Sequence, residues 1–190
     1  MMSREQKMQG VQPSVEGRMR SPMMAKLLWL SMAMLVSLSM VQPSHAAPRL
    51  DLSAKTQSGE LVSLESYKGK VVYVDFWASW CAPCRDSFPW MELMHQRYGD
   101  KGLAIVAINL DEESEMAGPF LADFKTSFDI LYDPKGEMAG HFNLQGMPSS
   151  YLFDAEGNLV SEHLGFFKSK QAAVEQEIQS LLKKRSADAN

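Results

Sequence analysis

Cysteine is scarce in this sequence, which has only Cys81 and Cys84 among 190 residues. Two thiols cannot form the network of disulfides that stabilises small secreted domains. They also cannot supply an all-thiolate zinc site. The histidine that follows them, His95, lies about 16 Å further along a helix at 1.5 Å per residue, too far to share an ion. We therefore expect no metal site and no cofactor.

Basic residues are also too few to suggest a nucleic-acid partner. Lys and Arg number 19 against 23 Asp and Glu, which gives a net charge of −4. Basic residues outnumber acidic ones before Ala47, so the rest of the chain is more acidic than the whole. A body of this charge offers no basic patch to neutralise phosphates, and nucleic-acid binding is excluded as the predicted function.

The sequence also lacks an apolar run long enough to span a membrane, which takes roughly 20 residues. Its main apolar run, from Leu27 to Val41, is shorter than that. Lys26 precedes this run, and the small residues Ser44 and Ala46 follow it. A positive charge, a short apolar stretch and a small-residue site are typical of a secretory signal. We expect cleavage after Ala46 and an extracytoplasmic, for example periplasmic, location. An uncleaved N-terminal membrane anchor is the alternative.

The first 22 residues are polar and make the charged region of such a signal unusually long. Met23 and Met24 stand where a signal peptide would ordinarily begin, so they are candidates for the true start. We predict two parts of the chain, an upstream segment with its signal at 1–46 and one folded domain at 47–190.

The folded part alternates strand and helix patterns. Short runs of β-branched and aromatic residues predict buried strands, and amphipathic stretches predict helices. The acidic run Asp111–Glu115 predicts a solvated helix start. This order implies an α/β fold with a mixed central sheet and helices on both faces. The predicted strands are 70–77, 103–110, 129–132, 149–153 and 158–164, and the predicted helices are 81–98, 111–127, 137–142 and 168–184.

The candidate chemistry lies at Cys81 and Cys84, which follow a buried strand and open a predicted helix. Thiols at this spacing can close a small disulfide ring, and a helix N-terminus favours a thiolate. We expect Cys81 to attack and Cys84 to resolve the mixed disulfide. A c-type haem site would need histidine directly after the second cysteine, where Arg85 stands.

The segment Val74-Asp75-Phe76-Trp77-Ala78-Ser79-Trp80-Cys81-Ala82-Pro83-Cys84-Arg85 resembles the active-site strand and helix of the thioredoxin superfamily. Gly146-Met147-Pro148-Ser149 resembles its cis-proline loop. The lead-in before Val71, an extra helix and strand around 115–132 and the export signal resemble the TlpA/ResA branch. The resemblance covers about 50–184 and implies a thioredoxin-like fold with a helix–strand insertion.

The resemblance assigns further site residues. It implies that Pro148 is the cis-proline facing the disulfide and that the Met147 backbone pairs with a substrate strand. Trp80 would line the active-site surface, where an aromatic side chain suits partner binding. Asp75 matches a buried carboxylate beneath Cys84 that accepts or donates the Cys84 proton.

Three positions depart from the family pattern, and one of them is Ser149, because threonine commonly follows the cis-proline. Asparagine is common in the TlpA/ResA branch at the position of Asp75, and glutamate is common at the position of Ser87. The resemblance therefore implies that Asp75 handles the proton of the second cysteine without a second acid.

The sequence predicts an exported thiol–disulfide oxidoreductase that reduces protein disulfides, with cytochrome c maturation as one possible task. Its partners would be client proteins with thiols or disulfides and a membrane thiol electron donor, and we expect a monomer. A thiol oxidase of folding proteins and a non-catalytic binding module are the alternatives. A peroxidase is less favoured, because Ala78 stands where peroxiredoxins usually carry threonine three residues before the reactive cysteine.

Overall fold

The computed structural model describes residues 47–188, so the predicted leader at 1–46 lies outside the described residues. Within the described part, no helix is both long enough and apolar enough to cross a membrane. The chain there folds into one mixed sheet of seven strands with helices on both faces, which confirms the predicted fold class.

Three central strands run parallel and are largely buried, as their β-branched and aromatic content predicts. The spatial order is β2-β1-β5-β4-β3-β6-β7, and the outer pairs are antiparallel. The strands are β1 (Ser53–Lys55), β2 (Leu61–Ser63), β3 (Val71–Trp77), β4 (Leu103–Asn109), β5 (Asp129–Tyr132), β6 (Ser149–Phe153) and β7 (Leu159–Leu164).

Four α-helices cover the sheet, and short 3-10 turns at 64–67, 99–101, 114–116 and 168–170 adjoin the regular elements. Glycine is needed at Gly102, the left-handed residue that follows the second of these turns and precedes β4. The helices are α1 (Cys84–Tyr98), α2 (Ala117–Ala122), α3 (Glu137–His141) and α4 (Gln171–Asp188).

Alternate side chains along each strand divide the core into two layers. One layer packs α1, α2 and α4 against one face of the sheet, and the other packs α3 and the lead-in against the opposite face. Because β3, β4 and β5 are parallel, their carboxyl ends meet at one edge of the sheet. The loops that leave this edge build the candidate site.

Three predicted helix starts are wrong, and one of them is that of the last helix, which begins at Gln171 rather than at 168 because 168–170 form a 3-10 turn. The helix predicted from Cys81 begins at Cys84, because residues 81–83 form turns whose carbonyls accept from the N–H groups three residues on. The helix predicted over 111–127 is reduced to α2 and the turn before it. Asp111 is buried rather than solvated, because its carboxylate turns inward to accept hydrogen bonds.

Candidate active site

Cys81 and Cys84 form a disulfide with 5.4 Å between their Cα atoms. The Cys84 N–H donates to the Cys81 carbonyl at 3.1 Å, so the two residues are also joined through the backbone. The pair lies between the end of β3 and the start of α1, whose dipole puts partial positive charge at this end. Such an environment stabilises a thiolate when the disulfide is reduced.

The two cysteines differ in access to solvent. Cys84 is completely covered, whereas Cys81 retains 4% of its surface. Trp80, the residue before Cys81, is 71% exposed and is the most exposed of the large apolar side chains among residues 47–188. A partner that approaches this edge therefore meets Trp80 and the accessible side of Cys81.

Arg85 connects the disulfide helix to the insertion. Its guanidinium lies 5.2 Å from the ring centres of both Phe120 and Phe124, and it forms an ion pair with Asp123. Phe120 in turn packs 4.6 Å from Trp77, measured between ring centres. The insertion thus supports the end of β3 and the first turn of α1 from the same side.

Asp75 is buried in β3 and is 2% exposed. It lies on the same strand face as Tyr73 and Trp77, the face against which Cys84 and α1 pack. Within residues 47–188 its Oδ2 atom has no hydrogen-bond partner. Loss of solvent raises the pKa of the Asp75 carboxyl well above its ordinary value.

Asp75 is paired across the sheet with β6. Ser150 stands opposite it in the register of β3 and β6, and the Tyr73 hydroxyl donates to Ser150 Oγ at 2.7 Å. Burial, and next the charge of Asp75, raises the pKa of the Tyr73 hydroxyl, which therefore stays protonated. On α1, Ser87 is buried and donates to the Cys84 carbonyl at 3.0 Å. No carboxylate occupies this position of the helix.

The loop before β6 forms the other side of the site. The peptide bond between Met147 and Pro148 is cis, and Met147 packs against the core layer that contains both cysteines. The Gly165 N–H donates to the Pro148 carbonyl at 2.8 Å, which ties this loop to the end of β7. The structure thus brings five of the six predicted residues to the carboxyl end of the parallel strands, and the sixth, Asp75, lies two residues before the end of β3.

Asp111 is a further residue of this region that the sequence did not predict, and its carboxylate accepts hydrogen bonds from the loop between β3 and Cys81. The signal that could have revealed it is the parallel pairing of β3 with β4. Trp77 stands opposite Asn109, so the residues two positions beyond each, Ser79 and Asp111, emerge side by side.

The family model for Redoxin matches residues 42–178, so the chain belongs to the Redoxin family. The Thioredoxin-like protein YneN of Bacillus subtilis is 41% identical over 134 residues, which are 69% of this chain and 76% of that protein. The thiol-disulfide oxidoreductase ResA of Bacillus thuringiensis is 31% identical over 107 residues, 56% of this chain. That alignment spans 62% of the ResA chain, less than two thirds of its length.

Solved structures agree with the fold. A crystal structure from Chlorobium tepidum, described as a thiol:disulfide interchange protein DsbE, has 41% sequence identity and a TM-score of 0.69. The alignment covers 72% of this chain and 96% of the Chlorobium tepidum chain. These similarities confirm the TlpA/ResA-like assignment within the thioredoxin superfamily. With the Cys81–Cys84 pair in place, the protein is a thiol–disulfide oxidoreductase of the ResA/DsbE type.

Proposed function

We propose that the protein reduces the disulfides of client proteins outside the cytoplasm, with Cys81 as the attacking thiol and Cys84 as the resolving thiol. The observation that carries this assignment is the difference in access, because Cys81 reaches the surface beside exposed Trp80 and Cys84 does not. A client sulfur can touch only the first of the two.

The reaction starts from the reduced Cys81–Cys84 pair. The Cys81 thiolate attacks one sulfur of the client disulfide, a mixed disulfide forms, and the other client sulfur leaves as a thiolate. Cys84 then gives its proton to the Asp75 carboxylate and attacks the Cys81 sulfur. The second client sulfur leaves, so the client gains two electrons and the protein ends as the Cys81–Cys84 disulfide.

Asp75 suits the proton step because it is buried and lies on the strand face against which Cys84 packs. Burial raises the pKa of Asp75 towards the pKa of a thiol, which makes proton transfer between the two groups easier. Trp80, Met147 and Pro148 form the surface that receives the client, and the Met147 backbone pairs with an extended client segment.

The apolar run and small-residue site of 1–46 support export, with cleavage after Ala46 and an uncleaved anchor as the competing form. In an oxidising compartment the pair needs a supply of electrons, and a membrane thiol donor fills that need. Apocytochrome c before haem attachment is one client of suitable chemistry. We propose that the protein acts as a monomer.

The reduction potential of the Cys81–Cys84 pair tests the direction of electron flow. Ala82-Pro83 between the cysteines is similar to reducing thioredoxins, so the potential should lie near the thioredoxin value of about −270 mV. Equilibration with glutathione buffers, followed by mass spectrometry of the alkylated thiols, measures it. A potential near about −120 mV would instead indicate an oxidase of folding proteins.

The double variant Cys81→Ser with Cys84→Ser separates catalysis from simple binding. Disulfide reduction should disappear in this variant, while its fold and its exposed Trp80 remain. If the double variant retained the cellular activity of the wild type, the protein would be a non-catalytic binding module.

A further inference from the structure

We propose that Asp111 is a positioning residue for the exchange reaction: its carboxylate fixes the loop of residues 78–80 and thereby sets the place of Cys81. The inference rests on the proposed role of Cys81 as the attacking thiol. Asp111 is a buried acid that takes no part in the proposed transfer of protons and electrons.

The Asp111 carboxylate accepts hydrogen bonds from two segments, the loop that follows β3 and the end of β4. The Ser79 N–H donates to both carboxylate oxygens at 3.1 Å, and Ser79 Oγ donates to Oδ1 at 3.0 Å. Asn109 Nδ2 donates to Oδ2 at 2.8 Å, while the Asp111 N–H donates to Asn109 Oδ1 at 3.2 Å. Asp111 is 3% exposed, so these bonds are shielded from water.

Two further backbone hydrogen bonds hold the residues around this loop. The Leu110 N–H donates to the Trp77 carbonyl at 2.9 Å, and the Cys81 N–H donates to the Ala78 carbonyl at 3.1 Å. The first bond holds the start of the loop and the second is internal to it. The hydrogen bonds from Ser79 to Asp111 anchor its middle, directly before Trp80 and Cys81.

Attack on a disulfide needs the thiolate in line with the sulfur–sulfur bond, and a displacement of about 1 Å can cost about 100-fold in rate. With its carbonyl towards Ser79, the amide introduced by Asp111→Asn would place its NH₂ group against the Asn109 NH₂ group. Turning Asn109 over would only move the conflict to the backbone N–H of residue 111. With its carbonyl towards Asn109, the amide would instead point its NH₂ group at Ser79 Oγ and leave the Ser79 hydroxyl without this acceptor. Either orientation therefore removes one hydrogen bond of the wild-type network and loosens the loop.

The reciprocal exchange Asn109→Asp with Asp111→Asn removes this conflict. The amide introduced at position 111 donates to the carboxylate at position 109, and its carbonyl still accepts from Ser79. The backbone N–H of residue 111 keeps an acceptor, and the net charge is unchanged. This double variant is the rescue that a role through hydrogen bonding predicts.

The experiment uses full-length protein with Cys84→Ser, which leaves Cys81 as the single thiol, and oxidised glutathione as the probe. Mass spectrometry follows formation of the Cys81–glutathione disulfide, and circular dichroism gives the folded fraction. Asp111→Asn should lower the rate per folded molecule about ten- to a hundredfold. The reciprocal exchange should restore most of it, and Ser79→Ala should have a smaller effect of the same sign.

Asp154→Asn is the matched control. Asp154 is also a largely buried carboxylate that accepts backbone N–H groups, from Glu156 and Asn158, but it lies at the opposite end of β6 from the site. Its substitution should lower stability and leave the rate per folded molecule unchanged. A rate equally reduced in this control would show that the effect of Asp111 is not local, and would overturn the proposal.

The sign of the change distinguishes positioning from charge. Loss of a negative charge near Cys81 would stabilise the thiolate and raise the rate at neutral pH, whereas loss of positioning lowers it. An Asp111→Asn rate equal to or above that of the parent overturns the proposal. If Asp111→Asn does not fold, a folded reciprocal variant that remains slow overturns it. If the parent itself does not attack glutathione disulfide, the proposed function fails instead.

Discussion

Asp75 stands directly opposite Ser150 in the antiparallel pair of β3 and β6, and the Ser150 hydroxyl already accepts a hydrogen bond from Tyr73. Asp75 Oδ2 is left without a partner in the described part of the chain. Ionisation of this carboxyl therefore has to occur without solvent or a hydrogen-bond donor at that oxygen to stabilise the charge. Two consequences can be measured, one in stability and one in kinetics.

Asp75→Asn should change how the stability of the oxidised protein depends on pH. In the unfolded chain the carboxyl ionises near pH 3.9, whereas burial raises its pKa in the fold, so the native state binds more protons between the two values. Wild-type stability should fall as pH rises through this window. The unfolding free energy of Asp75→Asn minus that of the wild type should therefore increase by about 1.4 kcal/mol for each pH unit.

Urea unfolding of both proteins at several pH values above about 4 checks this prediction, with exposed Asp100→Asn as the control that should show no such trend. A constant difference between wild type and Asp75→Asn across the range would mean that Asp75 does not ionise with a raised pKa.

The same substitution should slow the resolution of the mixed disulfide. An amide at position 75 cannot take up the Cys84 proton, and acid–base help of this kind is typically worth about 10²- to 10⁴-fold. Ser87 supplies no carboxylate as a substitute. Single-turnover release of glutathione from the Cys81 adduct, followed over pH, measures the step. An unchanged pH–rate profile would assign the proton transfer to water or to another group.

Trp80→Ala should weaken the reaction with protein clients more than the reaction with small disulfides. The indole is 71% exposed beside Cys81, so its loss removes partner contact and leaves the core intact. The second-order rate for a protein disulfide should fall about tenfold, as for a central aromatic at an interface. Leu61→Ala removes a similarly exposed apolar side chain from β2, the outermost strand on the side of the sheet away from β3. It should change neither the rate with a protein disulfide nor the rate with a small disulfide.

Phe120→Ala should destabilise the fold by about 3–5 kcal/mol. The Phe120 ring is buried within 5.0 Å of the ring centres of Trp77, Phe88 and Phe124, so its loss leaves a cavity beneath the disulfide helix. Met116→Ala, at an exposed residue of the same insertion, should stay within about 0.5 kcal/mol. Chemical denaturation measures both. A small effect of Phe120→Ala would show that the insertion does not support the site.

Much of this architecture could be predicted from local patterns. The strands Asp129–Tyr132 and Ser149–Phe153 have the predicted bounds, because β-branched and aromatic runs between turn residues are signals contained within a few residues. The start of α1 could not be predicted as well. The turns at 81–83 depend on hydrogen bonds among the loop carbonyls and N–H groups, which apolar periodicity does not record.

Asp111 shows the other limit. Its acidic neighbours Glu112 and Glu113 are exposed, as a solvated run predicts, but Asp111 turns inward towards Ser79. The two residues are 32 positions apart, and only the register of β3 with β4 brings them together. Local composition therefore predicts the exposure of Glu112 and Glu113 correctly. It fails for Asp111, the residue of the run that contacts the loop before Cys81.

Trapping of mixed disulfides tests the central claim most directly, that Cys81 attacks and Cys84 resolves. Cys84→Ser should accumulate covalent complexes with client proteins that reductant releases, because the bond at Cys81 forms and nothing resolves it. Cys81→Ser should accumulate none, since Cys84 is covered by the fold. Non-reducing gels of the extracytoplasmic fraction, with each band identified by mass spectrometry, give the result. Equal trapping by the two variants, or trapping by Cys81→Ser alone, would contradict the account.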